Sequence, residues 1–366
     1  MADIPLQGNG RTASGEVEST PLGWLRNLRR AAFARLPALP LRAAPHSGHA
    51  VIDKLGAAPG AADLGASGSD GSTKVSVGSV LKIFYYTYAL ARFATLKKAV
   101  VFFGRSLSQL KKAMHWIDFI ERYGSITRLG QPPLELVRKS LSTYFSYVPA
   151  PDWKRSLLIN HFEISRRVFP RETLEALWSG NVVDLGGVKG RRESYHVLMC
   201  RSDQAGARHE GELTVSLFHG AQSIRLYRMT FIFVTEPDGT VSLAIGGMQG
   251  PGVPEAKAAL IDATRDLGGL RPKDAVLLVL KGQAFKLGAS SIHGIANASH
   301  VINGRRARRR ELLYTDYDSY WRDRGGVEGG SFGFILPIAP VEESSTPGSR
   351  RSAAKLAFWQ IGTSSL

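Results

Sequence analysis

Beyond residue 180 the apolar positions fall into a period of two. "ESYHVLMCR" (Glu193 to Arg201), "ELTVSLF" (Glu212 to Phe218), "SIRLYRMTFIFV" (Ser223 to Val234) and "VSLAIGG" (Val241 to Gly247) read as successive strands. The intervening "EPDG", Glu236 to Gly239, carries hairpin chemistry. Ahead of residue 180 the spacing is helical. "SLSQLKKAMHWIDFIERYG" predicts a helix capped at Ser106 and stopped at Gly124, and "PLELVRKSLSTYF" and "DWKRSLLINHFEISRRVF" continue the pattern, the latter with Asp152 as N-cap. Downstream, "PEAKAALIDATRDL" and "RPKDAVLLVLKGQAFKLG" read as helices, Pro272 suiting a first-turn position, and "SSIHGIAN" as a short strand. Helices between "VSLAIGG" and that strand make the two parallel neighbours joined by a right-handed crossover. The expected fold is α+β: an N-terminal helical region followed by a mixed, mainly antiparallel sheet with crossover helices.

Composition divides the chain further. Residues 1–76, rich in Gly, Ala, Ser and Pro, read as a disordered extension; 77–180 as the helical region; 181–340 as the mixed α/β domain; and 341–366 as a flexible tail. Within the extension, "PLGWLRNLRRAAFARL" has near-helical apolar spacing among arginines, a pattern suited to an anionic membrane surface or to a transient helix. The segment from Val80 to Phe103 is apolar but interrupted by Lys82, Arg92, Lys97 and Lys98, so it is not expected to span a bilayer.

Lys and Arg number 47 against 31 Asp and Glu, a formal charge of +16 that attracts phosphate-bearing partners. Membrane lipid, nucleic acid and phosphorylated cofactors all qualify, but the runs "RNLRR" (Arg26 to Arg30) and "RRARRR" (Arg305 to Arg310) read as solvated loops rather than a nucleic-acid site; an anionic membrane surface or envelope component is a candidate partner. Cys200, the single cysteine, cannot form an intrachain disulfide and, ending an apolar strand, reads as buried and inert. No secretory signal is evident, so residence in the cytoplasm or at the periphery of the inner membrane is expected. The sequence sets no oligomeric state.

The stretch with most chemistry is "AIGGMQGPG", where an apolar strand runs into glycines ahead of a helix. Backbone N–H groups of Gly246, Gly247, Gln249, Gly250 and Gly252 beside a helix N-terminus are candidates to cradle the pyrophosphate of CoA or acyl-CoA. No P-loop, dinucleotide fingerprint or serine nucleophile elbow is present. His293, Asn297 and His300 gather at the end of the following strand, where an imidazole could remove a proton and an amide hold a carbonyl. Shaping a core and a turn is the alternative use of the same three residues. "DYDSYWRDRGG" (Asp316 to Gly326) reads as an N-cap with an aromatic anchor, and His115, Trp116 and His161 as packing residues; no metal is expected.

The order meander, strand, glycine-rich turn, helix, parallel strand resembles the layout of GCN5-related acyltransferases, whose acyl-CoA loop reads Gln/Arg-x-x-Gly-x-Gly/Ala. Gln249 and Gly252 match that pattern, Pro254 does not, and two helices stand in the place of one. More specifically, "HWIDFI", "AIGGMQGP", "GLRPK", "IHGIANASHV" and "DYDSYWRDRGG" in this order resemble the bacterial VirK/YbjX-like family, from about Ala94 to Pro340. The resemblance implies a Gram-negative protein linked to virulence and antimicrobial-peptide resistance, with no established reaction. The long N-terminal extension and a tail poorer in charged helix depart from that family. Two readings follow: an acyltransferase-like enzyme acting on an envelope component or peptide, with Gly246 to Gly252 holding a CoA-type pyrophosphate and His293 or His300 as base, and a non-enzymatic regulatory or membrane-surface binding protein in which the same turn is structural and the +16 charge does the recruiting.

Overall fold

The computed structural model describes residues 77–139, 144–146, 151–220, 224–251, 256–304, 315–341 and 349–366. The expectations placed on 1–76, on Gly252 and on "RRARRR" lie outside these residues. Among the described residues six helices precede the sheet: α1 (Val77–Phe93), α2 (Leu96–Ser108), α3 (Leu110–Ile126), α4 (Leu134–Val137), α5 (Pro151–Val168) and α6 (Arg171–Trp178). The helix expected from Ser106 to Gly124 is therefore split and displaced. Ser106 is fully buried on the inner face of α2, which is capped by Thr95 accepting from the Lys98 amide at 3.2 Å. Gly124 lies inside α3, and its small size is required by packing: an added Cβ would run into the Gly130 carbonyl oxygen. α5 opens at Pro151, one residue before the expected cap Asp152.

The period-two segments form strands as expected: β2 (Ser194–Arg201), β3 (Leu213–His219), β4 (Arg225–Thr235) and β5 (Val241–Gln249), preceded by β1 (Val183–Lys189). β5 leads through α7 (Ala256–Asp266) and α8 (Pro272–Lys286) to β6 (Ser291–Ile295). Then follow a short 3-10 turn (Val301–Gly304), α9 (Tyr317–Arg322), β7 (Val327–Gly329), β8 (Gly333–Pro337) and α10 (Arg350–Ser364). The eight-stranded sheet has the order β1-β2-β3-β4-β5-β6-β8-β7. Every adjacent pair is antiparallel except β5 and β6. The α+β expectation with one parallel neighbour thus holds.

Side chains of the helices and the sheet share one core: Trp116, Ile120, Leu158 and Ile164 meet Val215, Met229, Phe231 and Ile245 in a single buried cluster. Each such burial contributes about 1.5–3 kcal/mol. A second cluster, with Ile83, Tyr86, Leu90, Phe102 and Met114, holds α1 and α2 onto α3. His161 is a packing residue: its Nδ1 accepts from the Phe233 amide at 3.1 Å, its ring stacks on Phe233, and burial lowers its pKa to about 3. Cys200, expected to be buried, is half-buried, and desolvation pushes its thiol up to about 12.

The tail expected to be flexible instead carries α10, which lies along α8 with Phe358 fully buried and Trp359 nearly so. The two helices meet at glycines: a Cβ on Gly282 would stand 2.5 Å from the Trp359 carbonyl oxygen, and one on Gly362 would strike that of Val279. At one margin of the sheet β1 is irregular between Asp184 and Gly186, with Ile361 of α10 packed 3.4 Å from where a Cβ on Gly186 would stand. At the other margin β7 is three residues long, and Glu328 is bound by Arg322. Among the described residues no helix is long and apolar enough to cross a membrane.

Candidate functional site

Two irregularities in strand pairing build the site. Opposite Leu217 and Phe218 of β3, β4 pairs through Tyr227 and Arg225, so Leu226 is an extra residue. The bulge brings Arg225 to the face already occupied by Arg228 and Thr230. Further along, Thr230 pairs with Gly247 and Phe231 with Ile245, which makes Gly246 the extra residue in β5. The resulting face is polar yet covered: Thr214, Ser216, Thr230 and Arg228 are all buried, Arg228 being only 6% exposed. Thr214 and Thr230 satisfy each other at 3.0 Å.

The arginines are not satisfied. Arg228 donates through Nη2 to Gln249 Oε1, but the Nε atoms of both Arg225 and Arg228 are buried without a partner. Among the described residues neither forms a salt bridge. Burial lowers the pKa of both guanidiniums, and Arg225 lowers that of Arg228 further, with the Glu210 charge acting in the opposite sense. Glu210 belongs to the segment between β2 and β3 that covers this face. A Cβ on Gly247 would collide with its carboxylate, and one on Gly246 with its carbonyl oxygen and the Phe145 ring. Gly246 and Gly247 are thus strand residues whose glycine identity is required by close covering.

Tyr317 closes the far side. The Met248 amide donates to its hydroxyl at 2.9 Å, the hydroxyl lies 3.3 Å from the Met248 carbonyl, and burial holds its pKa well above the usual phenol range. His300, 2% exposed, lies against the Tyr317 ring with centroids 4.9 Å apart. Its Nδ1 accepts from the Ile302 amide at 3.2 Å, so the neutral ring carries its proton on Nε2; burial lowers its pKa to about 4, opposed by the Gly246 backbone. At neutral pH His300 is uncharged.

The sequence-derived candidates separate accordingly. Gly246, Gly247, Gln249 and His300 gather around Arg228 and Tyr317. Asn297 acts from behind: its Nδ2 donates to Asp316 at 2.9 Å and its Oδ1 accepts from the Tyr317 amide at 2.9 Å, which seats the start of α9. Asp316 is the N-cap of that helix, accepting from the Ser319 amide, and Trp321 is its buried anchor, as the sequence suggested. His293 stands elsewhere, its Nε2 2.6 Å from Glu236 at the β4–β5 hairpin. The rings of Phe332 and Phe145 stand between it and Gly246. Gly250 is at the rim, without a positive φ and with ordinary space for a Cβ, 3.6 Å from Tyr227. Sequence reasoning missed Arg225, Arg228 and Glu210. The signal was present for the arginines, two cations inside the otherwise apolar "SIRLYRMTFIFV".

Other charged groups are engaged with one another. A shallow cleft lined by Arg105, Arg138, Lys139 and Arg208 also holds Glu135 and Asp203. There Glu135 binds Lys98 and Arg138 at 2.7 Å. Lys139 forms a fully enclosed ion pair with Glu212 at 2.7 Å, supported by Ser202 and the Gly211 carbonyl. Among the described residues no group of three His, Cys, Asp or Glu is placed to hold a metal ion.

These features define an α+β protein with a mixed sheet and an arginine-bearing face on β4 beside the end of β5. The chain belongs to the DUF535 family, described as a protein of unknown function, whose model matches residues 92–354. It is similar to the uncharacterized protein YbjX of Escherichia coli strain K12, with 24% identity over 259 residues, 68% of this chain and 75% of that protein. No solved structure matches it significantly.

Proposed function

We propose that the chain is an acyltransferase-like enzyme that takes an acyl-CoA and acts on an envelope component or peptide, in keeping with the virulence and peptide-resistance link that the VirK/YbjX resemblance implies. The observation that carries this reading is the pair Arg225 and Arg228. Arg228 is buried and Arg225 half-buried beside it, each with a buried, unpartnered Nε and, among the described residues, no carboxylate bound, an arrangement that favours an incoming polyanion such as a pyrophosphate. Gln249 and Gly250 adjoin them at the end of β5, the position that the GCN5-related layout gives to its phosphate turn. The pairing of β5 with β6 supports the same reading. It covers only Ala244 with His293 and Ile245 with Gly294, and further along β5 the Met248 amide is met by Tyr317 instead of a strand. Pro254 and the second connecting helix remain departures from that layout.

In this reading Arg225, Arg228 and Gln249 hold phosphate, and the Met248 amide is the donor available to an acyl carbonyl when the Tyr317 hydroxyl yields it. His300, neutral at pH 7 and next to Gly246, takes a proton from an incoming amine or hydroxyl on Nδ1 when that atom gives up the Ile302 amide. The test is calorimetric titration of the full chain with CoA and acetyl-CoA. Arg228→Gln and Arg225→Gln should each weaken binding by roughly tenfold or more, the value of a charge-assisted hydrogen bond. Absence of binding at millimolar CoA, or unchanged affinity in Arg228→Gln, rules the reading out.

A further inference from the structure

Helix α1 is apolar on every side. Ile83, Tyr86, Ala89 and Leu90 are buried against the neighbouring helices, yet Leu81, Phe84 and Tyr88 on the other side are 62%, 52% and 67% exposed. α2 repeats the arrangement: Ala99, Phe102 and Ser106 face inward, while Leu96, Val100 and Leu107, at intervals of four and seven, are 70%, 63% and 49% exposed. A surface helix of a water-facing protein ordinarily keeps one apolar stripe, and here each helix has two. Phe84 and Phe103 touch with ring centroids 5.3 Å apart, joining the outer rows of α1 and α2 into one surface. A contiguous apolar surface of this kind marks a contact site.

Its charge selects the occupant. Between residues 77 and 112 every charged side chain is Lys or Arg, with no Asp or Glu. Lys82 and Lys98 are engaged by Asp118, Glu121 and Glu135, whereas Lys97 and Lys111 are exposed, and Arg92 lies over the Phe93 ring. A second copy of this chain would bring an equally basic face against this one, and like charges would oppose the contact. An anionic bilayer supplies both apolar depth for the outer rows and negative charge for the cations beside them.

We infer that the α1–α2 hairpin is an interfacial docking surface for anionic lipid, lying in the plane of the bilayer with Leu81, Phe84, Tyr88, Leu96 and Val100 in the headgroup–acyl boundary. This inference is independent of the acyl-CoA reading and of the arginine runs at Arg26 and Arg305. The test is co-sedimentation of the full-length chain with phosphatidylglycerol–phosphatidylethanolamine vesicles and with phosphatidylcholine vesicles. The unmodified protein should bind the anionic vesicles and leave the neutral ones. Leu96→Ser with Val100→Ser should weaken binding by about tenfold or more, because apolar burial supplies the depth. Lys97→Glu with Lys111→Glu should do the same at low salt, with thermal unfolding unchanged for both because the four residues are exposed. Equal binding to neutral vesicles overturns the proposal. So does unchanged binding by both double variants, a loss confined to Arg26→Gln with Arg29→Gln and Arg30→Gln, or a dimer in solution that the Leu96 and Val100 changes dissolve.

Discussion

At the scale of single residues, the two glycines of greatest interest differ in what constrains them. Gly246→Ala should destabilise by about 1–3 kcal/mol, because the new methyl meets the Glu210 backbone and the Phe145 ring. Gly250→Val should change stability by no more than about 0.5 kcal/mol, as space and backbone angle both admit it, while weakening CoA binding if the rim approaches phosphate. Urea unfolding beside CoA titration separates the two; a stability loss in Gly250→Val as large as that of Gly246→Ala would contradict the geometry. Lys139→Met should cost about 3–5 kcal/mol, since it leaves Glu212 enclosed without its partner, again read by urea midpoint. At this scale the sequence pointed to the right strand and missed the partners. Gly246, Gly247 and Gln249 stand out locally, but Glu210 meets them across more than thirty residues of chain and Lys139 meets Glu212 across 73, and neither contact leaves a local pattern.

At the scale of elements, β2 to β5 were legible because each is a run of β-branched and aromatic residues between turn signals, and the parallel partner β6 followed from the helices before it. β1 was not, since "VDLGGVK" has two glycines and little alternation. α10 was missed for a related reason: its apolar positions, Ala354, Phe358 and Ile361, are few among Ser, Lys and Gly, and its Ser/Pro-rich approach reads as loop. Its close packing on α8 makes it vulnerable. Gly282→Val should push α10 off α8 and lower the melting temperature by several degrees, an overpacking cost of roughly 1–3 kcal/mol. A melting temperature equal to that of the unmodified chain would show that α10 is dispensable.

At the scale of the whole molecule, buried histidines tie stability to pH. His161 and His300 have folded pKa values of about 3 and about 4, below the unfolded value near 6.5. Between those limits the unfolded chain binds more protons, so stability is full above pH 6.5 and falls as pH drops towards 4, by up to about 1.4 kcal/mol per pH unit for each histidine. Glu212, whose carboxyl burial holds above its ordinary value, acts in the opposite sense, so the comparison of variants is decisive. His161→Gln, which keeps an acceptor for the Phe233 amide, should flatten the dependence of the urea midpoint between pH 6.5 and 4; an unchanged slope would refute the assignment. The sheet margins have a separate consequence. Irregular β1 lies under Ile361, and β7 is too short to template a neighbour, so among the described residues neither side of the sheet offers a long straight row of free amides. Strand-by-strand polymerisation between molecules is blocked at both ends, and a concentrated solution of this chain should fail first by clustering of its apolar hairpin rather than by growth of fibrils.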